Sequence, residues 1–327
     1  MAKTKPLDGK LVVLLGGSGF FGTHVAQDLL EQGARLRIAS RNPKAAFHLK
    51  PLANLGQIQF VRCDITKPDS IALAVGGADG VVNLVGEFKG DLVAIMGDGA
   101  GNAAKASREA GAAAFVQVSA IGADANSEVD YARAKAIGEQ AVLAAFPAAT
   151  ILRPPVLFGE DDDFINMFAK LISTFPALPV FAPDAKLQPL HVDDAAAAVV
   201  AALADPAKHG GKIYEIAGPA VMTMARINRA IAAAQNRNTT FIELPDFISE
   251  GFASATGWLP GAPISRDQLT LLQQGSVPSG DFPGIAKLGI TPRPLELYLD
   301  RWMTRYRKHG RFGVARVSTP VDDGGLG

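Results

Sequence analysis

Residues 10–22 read Lys-Leu-Val-Val-Leu-Leu-Gly-Gly-Ser-Gly-Phe-Phe-Gly, an apolar run followed by glycines spaced three apart and the start of an amphipathic pattern. Leu11–Leu15 lack the alternation of a half-exposed strand, which predicts a parallel strand buried on both faces. Gly16 is predicted to turn the chain, Gly19 to let backbone N–H groups approach a pyrophosphate, and Gly22 to let a helix over residues 20–32 pack closely. Unpaired N–H groups at the start of that helix favour phosphate. The stretch therefore predicts a dinucleotide site, with a purely structural glycine-rich turn as the alternative.

Length and composition set the broad class of the chain. The 327 residues are 48% hydrophobic and carry 32 basic and 32 acidic side chains. These values predict a large core in one α/β unit or two fused lobes and give no sign of a nucleic-acid partner. The single cysteine, Cys63, excludes an internal disulfide and a cysteine-based metal site, and it is predicted to be buried in a protein of a reducing compartment. Residues 1–8 lack a secretory apolar core and no apolar run of about 18 residues occurs, so we expect a soluble or peripheral protein with no signal peptide and no transmembrane helix.

Strand and helix patterns alternate along most of the chain. Apolar segments predict strands near residues 35–39, 57–61, 79–86, 113–119, 151–159 and 213–216, with helical patterns between them. This alternation predicts an α/β fold with a doubly wound parallel sheet, the Rossmann arrangement. The predicted divisions are a dinucleotide-binding domain over 1–155, a segment over 156–317 that completes the sheet and forms a smaller C-terminal α/β lobe, and a disordered tail over 318–327.

The end of the second predicted strand bears on the choice of dinucleotide. In dinucleotide folds an acidic residue at this point holds a ribose 2′-hydroxyl, whereas an arginine accommodates a 2′-phosphate. Arg41 stands there, with Arg37 upstream and Lys44 downstream. A guanidinium–phosphate pair contributes roughly 1.5–3 kcal/mol, which favours NADP(H) over NAD(H). A solvated surface arginine is the alternative.

Two further strand ends are predicted to line the same cleft. Asp64 follows the third strand and is placed either to meet the adenine amino group or to cap the next helix. Leu84, Val85 and Gly86 follow the fourth strand and are expected beside the cofactor if the sheet winds regularly. These residues extend the predicted cofactor site along the carboxyl edge of the sheet.

Three polar side chains follow the fifth predicted strand. Ser119 ends that strand, and Tyr131 and Lys135 share one face of the next helix because they are four residues apart. A phenol has a pKa of about 10, and a nearby ammonium favours the phenolate. Lys135 is therefore predicted to lower the pKa of Tyr131, while Ser119 holds a substrate oxygen. Proton transfer, contact with a cofactor that does not turn over, and packing alone all remain open for Tyr131.

Other polar groups receive structural interpretations. His191 precedes Asp193 and Asp194 at a helix start, so capping and a hydrogen bond between lobes are favoured over general-base chemistry. The acidic run over 161–163 predicts a solvated loop at a helix N-terminus, because consecutive carboxylates diverge. No metal site is expected.

Two segments are predicted to contact a partner or a substrate. Arg301–Arg316 interleaves basic side chains with Trp302, Tyr306 and Phe312 and contains no acidic residue. This pattern fits anionic lipid headgroups at about 1 kcal/mol per basic side chain, an acidic protein surface, or a merely solvated helix end. Phe247–Pro260 is apolar enough to line a substrate pocket or to dock on a partner. No recognised nucleic-acid module is present, so no nucleic-acid partner is expected.

Further motifs accompany these residues. They are Arg153-Pro154-Pro155-x-x-x-Gly159, Leu190-His-Val-Asp-Asp194, Val118-Ser-Ala-Ile-Gly-Ala123, Tyr131-Ala-Arg-Ala-Lys-Ala-Ile-Gly-Glu139 and Leu288-Gly-Ile-Thr-Pro-Arg-Pro-Leu295. With the glycine pattern they resemble the extended and atypical short-chain dehydrogenase/reductases over about residues 10–235. More narrowly, the chain resembles the branch that contains the 39 kDa subunit of respiratory complex I and its bacterial relatives.

The resemblance implies an accessory subunit on the peripheral arm of complex I with a structural NADPH, in the cytoplasm or peripheral on the cytoplasmic side of a bacterial inner membrane. The alternative is a free-standing NADPH-dependent reductase or epimerase of a carbonyl or quinone substrate that uses Ser119, Tyr131 and Lys135. Ala120 replaces a second serine of the family pattern, which weakens the case for a complete substrate site. The residues predicted to bind the cofactor are Gly16, Ser18, Gly19, Phe20, Phe21, Gly22, Arg41, Asp64, Leu84, Val85, Gly86, Ser119, Tyr131, Lys135 and Pro154.

Overall fold

The structure is a computed structural model that describes residues 5–244, 266–308 and 310. Its strands are β1 (Leu11–Leu15), β2 (Arg35–Ser40), β3 (Ile58–Arg62), β4 (Gly80–Asn83), β5 (Ala114–Val118), β6 (Thr150–Arg153), β7 (Leu157–Phe158), β8 (Ala177–Val180), β9 (Lys186–Leu187), β10 (Leu190–His191), β11 (Ile213–Glu215), β12 (Met222–Thr223) and β13 (Thr240–Glu243). Its α-helices are α1 (Phe20–Glu31), α2 (Pro68–Val75), α3 (Gly99–Glu109), α4 (Asp130–Ala145), α5 (Phe164–Thr174), α6 (Val192–Ala204), α7 (Pro206–His209), α8 (Met224–Ala234), α9 (Arg266–Gln274) and α10 (Glu296–Trp302). Shorter 3₁₀ helices cover Pro43–Leu52, Ile285–Leu288 and Met303–Tyr306.

Seven strands form a wholly parallel central sheet in the order β11-β6-β5-β4-β1-β2-β3. Leu15 of β1 lies opposite Ala39 of β2 on one side and Asn83 of β4 on the other. The chain moves outward from β1 to β3 and then returns to β4, so its winding direction changes between β1 and β4. Ligands of open α/β sheets bind at the carboxyl ends of strands beside such a change. The predicted doubly wound parallel sheet is confirmed.

The two faces of the sheet bury separate apolar layers. Leu14 of β1 packs with Leu29 of α1 and Val199 of α6 on one face. Leu15 packs with Val142 of α4 on the opposite face. Residues 12–15 are at most 1% exposed, which confirms the strand buried on both faces that the uninterrupted apolar run predicts.

The sequence pattern also predicts a long, glycine-interrupted helix over about residues 91–110, and the structure is helical over 92–109. A π-helical turn, Val93–Asp98, precedes α3, and the two together pack against α4. A Cβ on Gly138 would lie 2.1 Å from the Met96 carbonyl oxygen, and one on Gly101 would lie 2.8 Å from the Ala141 Cβ. These glycines therefore allow the backbones to approach and fix the position of α4.

A second core lies beyond the sheet. This core contains the side chains of Phe158, Ile165 of α5, Ile227 of α8, Trp302 of α10 and Met303. Two short strand pairs belong to the same part of the chain, β8 with β13 in parallel and β9 with β12 antiparallel. Because β11 joins the central sheet, the chain after residue 156 contributes both to the sheet and to this smaller lobe, and the exact domain boundaries stay a prediction.

Two segments singled out in the sequence cannot be compared with the structure. Phe247–Pro260 and the tail over 318–327 lie outside the described residues. Within the part of the chain that is described, no helix combines the length and the apolar character needed to cross a bilayer.

Candidate functional site

The glycine turn between β1 and α1 presents backbone N–H groups at one end of a cleft. Gly16 has a φ of +77°, a conformation that glycine adopts without strain. A Cβ on Gly22 would lie 2.6 Å from the Gly17 Cα, so glycine is needed for α1 to pack on the turn. The Thr23 N–H donates to the Gly19 carbonyl at 3.0 Å, and no side chain caps the N-terminus of α1. The N–H groups of the first turn are thus placed to bind a phosphate.

A cleft of about 550 Å³ runs along the carboxyl ends of β1 to β4. Its volume is within the range of small-molecule and cofactor sites. Eleven of the fifteen residues predicted to bind the cofactor line it, all except Ser119, Tyr131, Lys135 and Pro154. Two residues of opposite charge, Arg41 and Glu87, also line this cleft.

A larger surface groove of about 790 Å³ lies between the 3₁₀ helix Pro43–Leu52 and β3. None of the glycine-turn residues lines this groove, and its wall includes the exposed side chains of Phe47 and Leu55. The smaller cleft is therefore the candidate cofactor site, because only that cleft contains the open N-terminus of α1.

Arg41 alone among three predicted basic residues reaches the cleft. Its guanidinium forms an ion pair with Glu87 in the loop after β4. The guanidinium of Arg37 instead donates to the Ala74 carbonyl at 2.7 Å, and Lys44 lines the separate surface groove. Arg41 is therefore the residue of the three that is positioned to contact a ligand in the cleft, because the other two side chains are directed elsewhere. The sequence analysis also missed Glu87, which follows Leu84, Val85 and Gly86 directly.

Asp64 lines the cleft and does not cap a helix. Its carboxylate accepts hydrogen bonds from the Thr66 hydroxyl at 2.8 Å and the Thr66 N–H at 3.1 Å. These hydrogen bonds lower the pKa of Asp64. The next helix begins at Pro68 and has Lys67 at its N-cap position, so the capping alternative for Asp64 is wrong.

Lys135 is buried at the base of α4 and links two strand ends. Its ammonium donates to the Val85 carbonyl at 3.3 Å and to the Val118 carbonyl at 3.2 Å. Burial lowers the pKa of Lys135 to about 8, although the charge of Glu139 acts in the opposite direction. Ser119 follows Val118 directly, and its buried hydroxyl oxygen has no hydrogen-bond partner among the described residues. An unpartnered buried hydroxyl on the residue that follows the Val118 carbonyl fits a site that holds a ligand oxygen.

Tyr131 is covered by an aromatic ring that the sequence analysis did not identify. Phe88 stacks on it with ring centroids 4.5 Å apart and planes inclined by 12°. Burial raises the pKa of Tyr131 to about 12. The predicted lowering by Lys135 is wrong in this arrangement, because the ammonium bonds two carbonyls and lies 5.7 Å from the centre of the phenol ring. The phenol is therefore protonated at neutral pH.

Pro154 occupies a supporting position next to these residues. It is buried, and its carbonyl accepts a hydrogen bond at 2.9 Å from the N–H of Ile121 in the loop that follows Ser119. The Ser119 N–H in turn donates to the Leu152 carbonyl at 2.8 Å. The loop after β6 thus fixes the backbone around Ser119, whereas a direct contact between Pro154 and the cofactor stays a prediction.

A buried ionic network holds α4 against the sheet. Arg153 of β6 donates two hydrogen bonds to Glu139 of α4, at 2.9 and 2.7 Å, and its guanidinium lies 3.5 Å from Glu215 of β11. The second Glu215 oxygen accepts from the Ser279 hydroxyl at 2.9 Å, and Phe282 stacks 4.7 Å from the guanidinium carbon. Glu139 stands four residues after Lys135, which is the sequence signal for a residue on the same helix face.

His191 caps α6, as predicted. Its Nδ1 accepts a hydrogen bond from the Asp193 N–H at 3.3 Å. Its contact with the second lobe is ring stacking on Tyr298, with centroids 3.9 Å apart, and the expected interlobe hydrogen bond is replaced by this stacking.

The acidic run over 161–163 is only partly a solvated loop. Asp162 is 4% exposed, and its carboxylate accepts from the N–H groups of Gly159 and Ile165 at the start of α5. Burial raises the pKa of Asp162 to about 6. The expectation of a solvated carboxylate is wrong here because Asp162 ties the loop to the helix. Among the described residues, no three His, Cys, Asp or Glu side chains are grouped to hold a metal ion.

The described part of the predicted basic aromatic surface is largely engaged within the protein. Trp302 is 6% exposed, and the Tyr306 hydroxyl donates to a side chain of α5 at 2.8 Å. Arg305 forms an ion pair with Glu160. The prediction of an interleaved aromatic face is wrong for these residues, because their rings complete the second core. Residues 311–316 lie outside the described part of the chain.

Comparison with known proteins agrees with this arrangement. A profile of the NAD dependent epimerase/dehydratase family matches residues 12–217. The chain is 31% identical over 315 residues to NADH dehydrogenase (ubiquinone) 1 alpha subcomplex subunit 9 of Mus musculus, a match that covers 93% of this chain and 82% of that protein. It is 30% identical over 240 residues to the ceramide reductase of Caulobacter vibrioides, covering 72% and 74% of the two chains.

Solved structures show the same fold. Triphenylmethane reductase of Citrobacter in complex with NADP(H) superposes with a TM-score of 0.73 at 18% identity, over 89% of this chain and 99% of that one. The sequence profile and the mouse relative both extend over most of the chain. The chain therefore belongs to the NAD dependent epimerase/dehydratase family, in the branch of the extended short-chain dehydrogenase/reductases that contains this NADH dehydrogenase subunit.

Proposed function

We propose that the chain binds NADP(H) in the cleft at the carboxyl ends of β1 to β4. The open N-terminus of α1 fits the pyrophosphate, and Arg41 provides the guanidinium that suits a 2′-phosphate. Asp64 is proposed to meet the adenine, and residues 84–86 to line the nicotinamide half of the cleft. The proposed cofactor domain is residues 1–155, and residues 156–317 are proposed to complete the sheet and carry the partner surface.

We further propose that the chain is an accessory subunit of a respiratory complex I, where its NADPH is structural. The observation that carries this proposal is similarity along nearly the whole chain, 93% to 96%, to NADH dehydrogenase subunit 9 from a mouse and a plant. The proposed partners are subunits of the peripheral arm. The proposed location is peripheral on the cytoplasmic side of a bacterial inner membrane or in the cytoplasm. The exposed cations Arg301 and Lys308 are proposed to contact anionic lipid or an acidic protein surface.

Gentle isolation of respiratory membranes tests this proposal. The chain is expected to comigrate with NADH:ubiquinone oxidoreductase activity on a native gel, and native mass spectrometry of the purified chain is expected to show bound NADP(H). A chain found entirely in an unattached soluble pool would contradict the subunit assignment. A purified chain that carries NAD(H), or no nucleotide after incubation with NADPH, would contradict the cofactor assignment.

A free-standing reductase is the second candidate, favoured by the unpartnered hydroxyl of Ser119, which directly follows the Val118 carbonyl that binds Lys135. NADPH would supply hydride when bound. The protonated phenol of Tyr131 is placed to give a proton to a substrate oxygen, Ser119 to hold that oxygen and Lys135 to stabilise the phenolate that remains. The Tyr131→Phe variant is then expected to lose NADPH oxidation with a carbonyl or quinone substrate but keep nucleotide binding. Unchanged turnover would remove Tyr131 from the mechanism.

A further inference from the structure

The loop after β4 connects the candidate cofactor cleft with Tyr131, which lies outside its lining. Glu87 forms the ion pair with Arg41 at the adenosine side, and the next residue, Phe88, stacks on Tyr131. Two successive residues of one short loop therefore contact Arg41, which directly follows β2, and Tyr131 of α4. A displacement of Glu87 acts directly on the backbone that positions the Phe88 ring.

Lys135 provides a further connection to the same loop. Its ammonium donates to the Val85 carbonyl at 3.3 Å, and the Val85 N–H donates to the side chain of Asn83 at 3.2 Å. These hydrogen bonds hold the beginning of the loop at the end of β4. The part that is free to change its partner is thus the stretch with Glu87 and Phe88, whose side chains are 34% and 57% exposed.

Glu87 and a 2′-phosphate are alternative partners of Arg41. The Arg41 guanidinium contacts Glu87 through Nη2, and a phosphate competes for this donor with a larger negative charge and a geometry that suits a bidentate pair. A carboxylate left beside a bound phosphate would repel it. The 2′-phosphate is therefore expected to displace Glu87, whereas NAD(H), which has a hydroxyl there, gives no cause for the ion pair to open.

We propose that Glu87 is a specificity-determining latch of the cofactor cleft. A 2′-phosphate on Arg41 releases Glu87, and the release withdraws Phe88 from the phenol of Tyr131. The latch rests on the proposed binding of NADP(H), and it adds that the phosphate at one end of the cofactor controls the environment of Tyr131 at the other. Glu87 weakens the binding of every 2′-phosphorylated nucleotide by competing for Arg41.

Two adenosine nucleotides that carry no nicotinamide test the competition. Isothermal titration compares 2′,5′-ADP, which has the 2′-phosphate, with 5′-AMP, which lacks it. The Glu87→Gln variant is expected to bind 2′,5′-ADP about two- to fivefold more tightly, the effect of losing one exposed competing ion pair, with the affinity for 5′-AMP unchanged. Glu243→Gln is the matched control, because Glu243 forms an equally exposed ion pair with Arg229 far from the cleft.

The ring of Tyr131 reports the coupling directly. The chain has four tyrosines, so incorporation of 3-fluorotyrosine gives four ¹⁹F resonances, and the Tyr131→Phe variant assigns one of them. A stacked Phe88 ring shifts this resonance by its ring current. We expect 2′,5′-ADP, but not 5′-AMP, to move the Tyr131 signal in the wild type. Glu87→Gln and Phe88→Leu are expected to move it in the same direction without nucleotide.

The outcomes separate the latch from the proposed cofactor. Binding of 2′,5′-ADP that is tighter than that of 5′-AMP, with no effect of Glu87→Gln on affinity or on the Tyr131 signal, overturns the latch and leaves the NADP(H) proposal standing. The latch is also overturned if Glu87→Gln binds 2′,5′-ADP more tightly but leaves the ¹⁹F resonance of Tyr131 unchanged. Phe88 would then be independent of Glu87. Equal affinities of the wild type for the two nucleotides contradict the NADP(H) preference itself, and the latch fails with it.

Discussion

Replacement of Arg153 by methionine is expected to destabilise the chain far more than the loss of an exposed ion pair. Its side chain is 13% exposed, and it is shared by the carboxylates of Glu139 and Glu215, which are 5% and 3% exposed. Methionine fills much of the same volume but carries no charge. The variant therefore leaves two buried carboxylates without their cation.

The magnitude follows from the partners that remain. Removing one member of a buried ion pair costs about 3–5 kcal/mol, because the other charge stays buried and uncompensated. Glu215 keeps its hydrogen bonds to the Ser279 hydroxyl and N–H, so Glu139 accounts for most of the loss. We expect about 3–5 kcal/mol for Arg153→Met. Glu139→Gln leaves Arg153 paired with Glu215 and is expected to cost less, about 1.5–3 kcal/mol.

Urea unfolding followed by tryptophan fluorescence measures these differences as changes in the free energy of unfolding. Glu243→Gln, which opens the exposed pair with Arg229, is the control, with an expected loss of about 0–1 kcal/mol. A loss below about 1 kcal/mol for Arg153→Met, or a larger loss for Glu139→Gln than for Arg153→Met, would refute the reasoning, since it would mean that the guanidinium does not compensate both carboxylates.

Three further outcomes are expected. Gly138→Ala should lower the free energy of unfolding by about 1–3 kcal/mol, because the new Cβ would lie 2.1 Å from the Met96 carbonyl oxygen, whereas Gln140→Ala on the exposed side of α4 should be nearly neutral in urea titrations. Asp162 has a folded pKa of about 6, above its unfolded value, so the folded state binds the extra proton. The free energy of unfolding of the wild type should therefore fall relative to that of Asp162→Asn as the pH rises from about 4 to 6. An equal pH dependence of the two proteins would mean that burial does not raise the pKa of Asp162. Lys135 has a folded pKa of about 8, below its unfolded value. Between about pH 8 and 10 the unfolded state binds more protons, so the wild type should gain up to about 1 kcal/mol per pH unit relative to Lys135→Met, and an equal dependence would mean that Lys135 is not desolvated.

Local sequence determines the first βα unit almost completely. The bounds of β1 coincide with the predicted Leu11–Leu15, and α1 ends one residue before the predicted limit. An uninterrupted apolar run and the glycine spacing carry this information without any tertiary contact. The segment predicted to be helical over 91–110 is helical from residue 92 to 109, but its π-helical turn could not be predicted from local sequence. Gly97 lies where a Cβ would approach Ile137 of α4 to 3.0 Å, so the π-helical turn reflects packing between helices that are distant in sequence.

Some residues of the candidate site could likewise be predicted from local sequence, whereas others depend on tertiary contacts. The glycine turn and Arg41 follow from residue spacing within one βα unit and the next strand. Glu87 and Phe88 could not be identified, because their contacts depend on how a loop folds back toward β2 and α4. The guanidinium of Arg37, four residues before Arg41, bonds a backbone carbonyl at the end of α2, a partner that no local pattern reveals.

The two proposed functions, nucleotide binding alone and nucleotide turnover, require different residues of this chain. Binding needs the glycine turn and Arg41, which line one cleft. Proton transfer needs Tyr131, whose phenol has a pKa of about 12 under Phe88, and Lys135, whose ammonium is held by two backbone carbonyls. A subunit with a structural nucleotide satisfies the first demand alone, whereas a reductase must also move the loop that carries Phe88. Phe88→Leu therefore distinguishes the two proposals: it should raise NADPH turnover if Tyr131 is a proton donor, and it should change neither nucleotide content nor assembly into the respiratory complex if Tyr131 only contacts the cofactor.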